Sequence, residues 1–293
     1  MLPFTKNAQK EGKVYHKTHT INKNRFQSQP TMFSRTKTNY SSAVLVRRRG
    51  FTHPSVVSLD QLICGEDWNL VKMECETDPQ AASVWSKAVG FFDGRYESRV
   101  LPLHRACSLR PPVHVIKSLV NAYPQAVSAK ETEFKRLPIH VAVQMEASAD
   151  VVDFLLLVYP MGAMTKDNLG RLPLHYAMSH GASADVVKSI LAAFPAAAGV
   201  EEHNGWLPIH VAMNYSISPD VLEMMLEAFP GSTLVKTKKG NTALSIAKKN
   251  GAHPDNIKIL EEAKERESIM FKTDLEREKT SYSVQSTYVA RGA

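Results

Sequence analysis

A short motif recurs four times along this 293-residue chain, and its spacing limits what the chain can fold into. The motif reads Leu-Pro-Leu/Ile-His-x-Ala, and its histidines are His104, His140, His175 and His210. Successive histidines are 36, 35 and 35 residues apart. A fixed period of about 20–50 residues is typical of repeat architectures, in which each unit buries its apolar face only against its neighbours. The chain is therefore predicted to be a stack of such units.

A second signal, an aromatic residue followed by proline, has the same period. It occurs at Tyr123-Pro124, Tyr159-Pro160, Phe194-Pro195 and Phe229-Pro230. The apolar residues before each proline have the i, i+1, i+4, i+5, i+8 spacing of one helix face, and the proline is expected to end that helix. Serines placed to cap the start of this helix are Ser148, Ser183 and Ser218. Each unit is therefore predicted to contain a turn, a short helix that starts at the motif, a loop and a longer helix.

These units resemble the ankyrin repeat, whose short helix begins with Thr-Pro-Leu-His-x-Ala after a glycine-containing hairpin. Here the matching Pro-Leu/Ile-His-x-Ala segments begin at Pro102, Pro138, Pro173 and Pro208. The chain departs from the family by a leucine in place of the threonine, by a proline after the second helix, and by a period near 35 residues instead of about 33. The resemblance implies an all-α, ankyrin-like solenoid of helix-loop-helix units with hairpin turns.

Charge and degenerate motifs indicate the domain boundaries. Residues 1–56 carry a net charge of +10 and residues 57–293 a net charge of −3, and the polar, aperiodic composition predicts a disordered basic tail at 1–57. The repeat array is predicted over 58–265, and a helical extension with a flexible tail over 266–293. Within the array, the predicted parts are a degenerate N-terminal cap at 58–98, units at 99–135, 136–170, 171–205 and 206–240, and a C-terminal cap at 241–265.

The recurring histidines allow three interpretations: metal ligands, catalytic bases or structural pegs. Equivalent positions on stacked helices lie about 10 Å apart, which is too far for several rings to meet around one zinc ion. No serine, cysteine or aspartate recurs beside them as a catalytic partner, and the common enzyme motifs are absent from the sequence. The resemblance implies that each ring bonds backbone groups in the turns between repeats. We therefore expect that the protein has no catalytic residue, metal or cofactor and that it is not an enzyme.

The resemblance also implies a partner-binding site on the concave face, formed by the hairpin tips and the exposed ends of the first helices. The tip positions are predicted to be Arg136, Arg171 and Trp206, in a ladder on the surface. The helix-end positions are predicted to be Gln144, Met145, Ser179, His180, Asn214 and Tyr215. These residues differ between units while the motif around them does not, as expected of positions that take no part in packing.

Two functions remain open from the sequence. The first is a non-catalytic scaffold or adaptor that binds another protein through the concave face. The alternative is a nuclear or nucleic-acid-associated regulator that uses the basic N-terminal segment, which includes the run "VRRRGFT" at 46–52. The sequence predicts no secretory signal and no membrane span, and its three widely spaced cysteines favour a reducing compartment. We therefore expect a monomer that is located inside the cell, in the cytoplasm or the nucleus, and that does not bind membranes.

Overall fold

A computed structural model describes residues 57–89, 97–215 and 217–290, with the side chains of the last helix described as far as residue 273 and at residue 276. The predicted disordered tail therefore lies outside the described residues, apart from Val57. The described chain is mostly helical and contains one two-stranded sheet. The all-α expectation is confirmed at this level.

The helices alternate between short and long members, and the odd-numbered ones are the first helices of the units. The first helices are α1 Leu59–Cys64, α3 Pro102–Cys107, α5 Pro138–Gln144, α7 Pro173–His180, α9 Pro208–Ala212 and α11 Ala243–Asn250. The second helices are α2 Trp68–Thr77, α4 Val113–Ala122, α6 Ala149–Val158, α8 Ala184–Ala193, α10 Pro219–Ala228 and α12 Pro254–Ala290. Each first helix packs on the first helices before and after it, and each second helix on its counterparts, so the units stack in two layers.

Proline starts the first helix of the four central units. At that position its missing N–H removes no hydrogen bond, and its φ is already helical. The residue before it is leucine, whose side chain accepts no hydrogen bond, so the third helical residue bonds instead to the leucine carbonyl, as His175 N–H does to Leu172 O at 3.0 Å. In the last unit Thr242 and Ser245 form a reciprocal capping box in place of this arrangement.

The apolar stripes predicted for the second helices are buried. In α4, for example, Val115, Ile116, Leu119 and Val120 are the buried residues. Serine caps these helices less uniformly than predicted, because the hydroxyls of Ser183 and Ser218 accept N–H bonds but Ser148 makes no side-chain cap bond. Burial of the stripe between the two layers therefore contributes more to these helices than the cap does.

A one-turn 3₁₀ helix follows most of the second helices, an element that the sequence analysis did not predict. These segments are Pro79–Ser83, Pro124–Ser128, Pro160–Met164 and Pro195–Gly199. Proline is the first residue of each, and small residues inside each segment are buried against the neighbouring helices, such as Ala82, Ala126, Ala163 and Ala197. The proline that ends one helix thus starts another, which leads the chain back towards the first-helix layer.

The turns between units begin as a hairpin and become tighter along the chain. Strand β1, Ser86–Val89, pairs antiparallel with β2, Glu97–Val100, in the register Ser86 to Val100. The later units have short turns in place of strands. Gly170 lies in one of them with φ +78°, and a Cβ atom there would approach the His203 ring to 2.6 Å, so both backbone angle and space require glycine.

The last helix is longer than the predicted C-terminal cap. Helix α12 continues through residue 265 without interruption and spans 37 residues, so the predicted boundary at 265 does not mark the end of an element. Its first part packs on α10 and α11 and buries Leu260 and Ala263. The carboxylate of Glu267 accepts hydrogen bonds from the N–H and hydroxyl of Thr233, which ties the helix to the preceding turn.

Candidate partner-binding surface

Each motif histidine bridges its own helix and the turn that leads into the next first helix. Its Nδ1 accepts the backbone N–H of the motif leucine, as His140 does from Leu137 at 3.1 Å, and its Nε2 donates to a carbonyl of the next turn, here Thr165 at 3.0 Å. The other rings make the same two contacts at 3.0–3.3 Å: His104 with Leu101 and Ala129, His175 with Leu172 and Trp206, and His210 with Leu207 and Val235. One ring therefore supports a helix start and joins two units.

These contacts require the neutral imidazole, because Nδ1 accepts a hydrogen bond while Nε2 donates one. Burial lowers the pKa of His104, His140 and His175 from 6.5 to about 4, and it also lowers the pKa of His210. With both nitrogens engaged, the rings have no lone pair to offer a metal. Within the described part of the chain, no group of three or more His, Cys, Asp or Glu side chains is placed to hold a metal ion.

A buried polar side chain organises each turn, a feature that the sequence analysis missed. Oδ1 of Asp167 accepts the N–H groups of Leu169 at 2.8 Å and Arg171 at 2.9 Å. The equivalent acceptors in the other turns are Glu131, Glu202 and the hydroxyl of Thr237. The sequence contains a signal for this acceptor. It is an acidic residue or threonine that lies five or six positions before the N-cap of the first helix.

Backbone hydrogen bonds also connect successive turns directly. The N–H of Asn168 donates to Phe134 O at 2.9 Å, and the N–H of His203 donates to Leu169 O at 3.1 Å. Lys238 N–H makes the corresponding bond to Asn204 O at 3.4 Å. The turn backbones are hydrogen-bonded to one another and to buried polar side chains, so contacts within the chain fix the conformation of the turns.

The prediction of a surface ladder of Arg136, Arg171 and Trp206 is wrong for its first member. All three residues follow the turn tips, and the Arg136 side chain is buried, with the residue only 3% exposed. Its guanidinium lies 4.5 Å from the Phe134 ring centre and 4.9 Å from that of Tyr176, and it donates to Gln144 Oε1 at 3.0 Å. The guanidinium lies against two rings, and its Nε is 3.7 Å from Asp167 Oδ2, so these contacts offset part of the cost of burying the charge.

Arg171 and Trp206 are half-buried and reach the surface. The Arg171 guanidinium lies 5.9 Å from the centre of the Tyr176 ring, which Arg136 also approaches. The Trp206 indole meets the His210 ring edge-on at 6.4 Å and packs against the core. Each therefore has one packed side and one side that a partner can contact.

The predicted helix-end residues lie at the C-terminal ends of three stacked first helices. Gln144 and Met145 are at the end of α5, Ser179 and His180 at the end of α7, and Asn214 and Tyr215 after α9. The first four are half-buried, whereas Asn214 and Tyr215 are exposed. Asn250, at the end of α11, donates to Asn214 Oδ1 at 2.6 Å and extends the row by one unit.

Tyr176 is the centre of this row and was not singled out in the sequence analysis. It occupies the variable position of the motif, where the neighbouring units have valine, and it is fully buried. Its hydroxyl donates to Asp167 Oδ2 at 2.6 Å, and burial raises its pKa well above the usual value. The structure thus brings Arg136, Arg171 and His180 together around one ring. Burial lowers the pKa of His180, and the positive charges of the two arginines lower it further.

A scan against models of known protein families finds no match to this chain, and a search of curated proteins finds no relative. None of the helices in the described ranges is both long enough and apolar enough to cross a membrane.

Proposed function

We propose that the chain is an ankyrin-like repeat scaffold that binds a partner protein without catalysing a reaction. The binding surface would be the turn face, defined as the half-buried and exposed residues around the turns and first-helix ends. It consists of Arg171, Trp206, Gln144, Met145, Ser179, His180, Asn214 and Tyr215, with Arg136 as buried support below it.

The observation that carries the proposal is the contrast between a uniform framework and variable helix ends. The framework repeats the same leucine, proline and histidine contacts in four units. The helix ends carry Gln-Met, Ser-His and Asn-Tyr at corresponding positions of three stacked units. Because the framework satisfies its own hydrogen bonds, little conformational entropy would be lost when a partner binds this face.

The proposal is tested by affinity capture from cell extract with the full chain, followed by measurement of the dissociation constant for the captured protein. Trp206→Ala and Arg171→Ala should each weaken binding by roughly 1–3 kcal/mol, since Trp and Arg most often dominate interfaces. The melting temperature should change little, because each side chain is only half-buried.

Phe271→Ala is the matched control, since this aromatic residue is 65% exposed on α12, away from the turns. It should bind the captured protein as wild type does. If Trp206→Ala and Arg171→Ala also bind with wild-type affinity, the turn face is not the binding site.

A further inference from the structure

The exposed charges along the four later turns are mainly positive. In the segments 129–136, 165–171, 200–206 and 235–241, the basic side chains that reach solvent are Lys130, Lys135, Lys166, Arg171, Lys236, Lys238 and Lys239. The exposed or half-exposed acidic residues there are Glu133 and Glu201, because the other acidic side chains are buried acceptors of the turn N–H groups. This turn edge is therefore basic, although residues 57–293 carry a net charge of −3.

Hydrogen bonds fix several of these lysines along the edge without neutralising them. Lys130 Nζ donates to Lys166 O at 3.2 Å, and Lys166 Nζ donates to Glu201 O at 3.1 Å. Lys238 Nζ reaches back to His203 O at 2.6 Å. Among the described residues, none of the seven basic side chains forms an ion pair. The edge thus presents positioned positive charges that are not paired with the few carboxylates in the same turns.

The charges follow the spacing of the units. Packed helices lie about 8–10 Å apart, and the hydrogen bonds between turns keep the turns at a similar spacing. A segment in the extended polyproline II conformation rises about 3.1 Å per residue and has three residues per turn, so three residues span one unit and side chains at every third position point the same way. Side chains at every third position would therefore face successive turns.

The third of these turns differs from the others. It carries Glu201 where the two preceding turns carry Lys130 and Lys166, and it contains the half-buried indole of Trp206. The matching residue of a bound segment would therefore be apolar, whereas the residues facing the other three turns would be acidic.

We propose that the turn edge binds an extended acidic segment of the partner protein. The segment would carry Asp or Glu opposite the turns at 129–136, 165–171 and 235–241, and an apolar residue opposite Trp206. This inference rests on the proposed scaffold function and specifies the chemistry of the partner.

An acidic polypeptide fits the edge better than a nucleic acid does. Proteins that bind single strands combine a basic track with aromatic rings on which the bases stack. Of the Phe, Tyr and Trp side chains described on this edge, Phe134 lies against the Arg136 guanidinium, which leaves Trp206 as a single open ring rather than a row of rings on which bases could stack. Glu201 also interrupts the track where a phosphate backbone would require a cation.

The test measures fluorescence anisotropy of labelled ten-residue peptides with the full chain. The first peptide has glutamate at its first, fourth and tenth positions, leucine at the seventh, and threonine elsewhere, and it is made in both sequence directions. A second peptide has the same composition with its three glutamates adjacent. We expect one direction of the first peptide to bind at least about tenfold more tightly than the second peptide, because only the first matches the spacing of the turns.

Lys166→Glu and Lys236→Glu should each reduce that binding by roughly tenfold or more, because attraction becomes repulsion. Lys264→Glu is the matched control, an exposed lysine on α12 that changes the net charge equally, and it should bind the peptide nearly as wild type does. Lys236 makes no described hydrogen bond through its side chain, so its variant tests the charge even if Lys166→Glu disturbs the turn.

Equal binding of the two peptides, or equal losses in the Lys236 and Lys264 variants, would overturn the proposal. Tighter binding of oligothymidylate than of either peptide, lost in Lys236→Glu, would assign the edge to nucleic acid instead. The scaffold function has a separate readout: a captured partner that depends on Trp206 but not on Lys166 or Lys236 would retain that function and reject the acidic segment.

Discussion

At the scale of single residues, the motif histidines matter because their charge state controls their two hydrogen bonds. A protonated ring would place a donor opposite the leucine N–H and bury a positive charge between two units. Since the folded-state pKa of about 4 lies below the ordinary 6.5, the unfolded chain binds protons more readily than the folded chain does between these values. Each such ring should therefore stabilise the fold fully above pH 6.5 and progressively less as the pH falls towards 4.

We predict that the free energy of unfolding decreases by on the order of 3 kcal/mol for each of His104, His140 and His175 between pH 7 and pH 4. His175→Ala should lower stability at pH 7 by roughly 1–3 kcal/mol, through the loss of buried hydrogen bonds. The variant should also show a shallower pH dependence than wild type. Urea unfolding at a series of pH values measures both effects.

Zinc provides a check on the same residue. Adding zinc at pH 7 should change neither the unfolding midpoint nor the helicity of wild type, because both ring nitrogens are engaged. A tight, stoichiometric zinc site that disappears in His175→Ala would contradict the structural role of the ring.

At the scale of elements, five of the six first helices have a left-handed residue at or just after their C-terminal ends. Gly181 and Gly251 supply it after α7 and α11, with φ of 65° and 64°, whereas three earlier units use Glu66, Arg110 and Glu146, with φ of 52–56°. A side chain in this conformation costs about 1–2 kcal/mol relative to glycine. The early units therefore contain backbone strain that the glycine-ended units lack.

Exchanging glycine at two of these ends should shift stability in opposite directions. Gly181→Ala is expected to destabilise the chain by roughly 1 kcal/mol through backbone strain alone, because no atom lies within 4 Å of the added Cβ. Glu66→Gly is expected to stabilise it by up to about 1 kcal/mol, after the higher entropy of glycine in the unfolded chain is subtracted. Differential scanning calorimetry of both variants measures the shifts, and a neutral or stabilising Gly181→Ala would refute the strain argument.

Sequence patterns predict most of this architecture because repetition makes each signal visible several times. The histidine, proline and aromatic positions recur at one interval, and helix α1 begins at the predicted start of the N-terminal cap. Arg136 shows where such reasoning fails. Its burial depends on Tyr176 from the next unit and on Gln144 of its own unit, contacts that no local pattern records. The 3₁₀ helices were missed because a proline that ends one helix was not considered as the start of another.

At the scale of the whole molecule, positive charge is concentrated in two places, the N-terminal segment and the turn edge. The first contributes +10 over residues 1–56, and the second lies within a region whose net charge is −3. The stacked helices make their contacts with neighbouring units, so stability should depend on the array rather than on the basic segment.

Deletion of residues 1–56 should therefore leave the helical content and the cooperativity of unfolding unchanged, as measured by circular dichroism and urea titration. Loss of the folded state would show that the basic segment is needed for folding. If wild type binds DNA or RNA with a steep salt dependence and the deletion variant does not, the regulator alternative would replace the scaffold proposal.

The direction of the histidine contacts has a consequence for how the chain folds during synthesis. Each imidazole bonds a carbonyl that lies 25–31 residues later, in the turn that leads into the next first helix. A first helix that has just left the ribosome therefore holds an unsatisfied ring until that later turn emerges. In helix α11, Ser245 replaces the histidine and forms its hydrogen bonds with Thr242 of the same unit. The dependence on a later turn ends there, so this unit can close the array as soon as it is made.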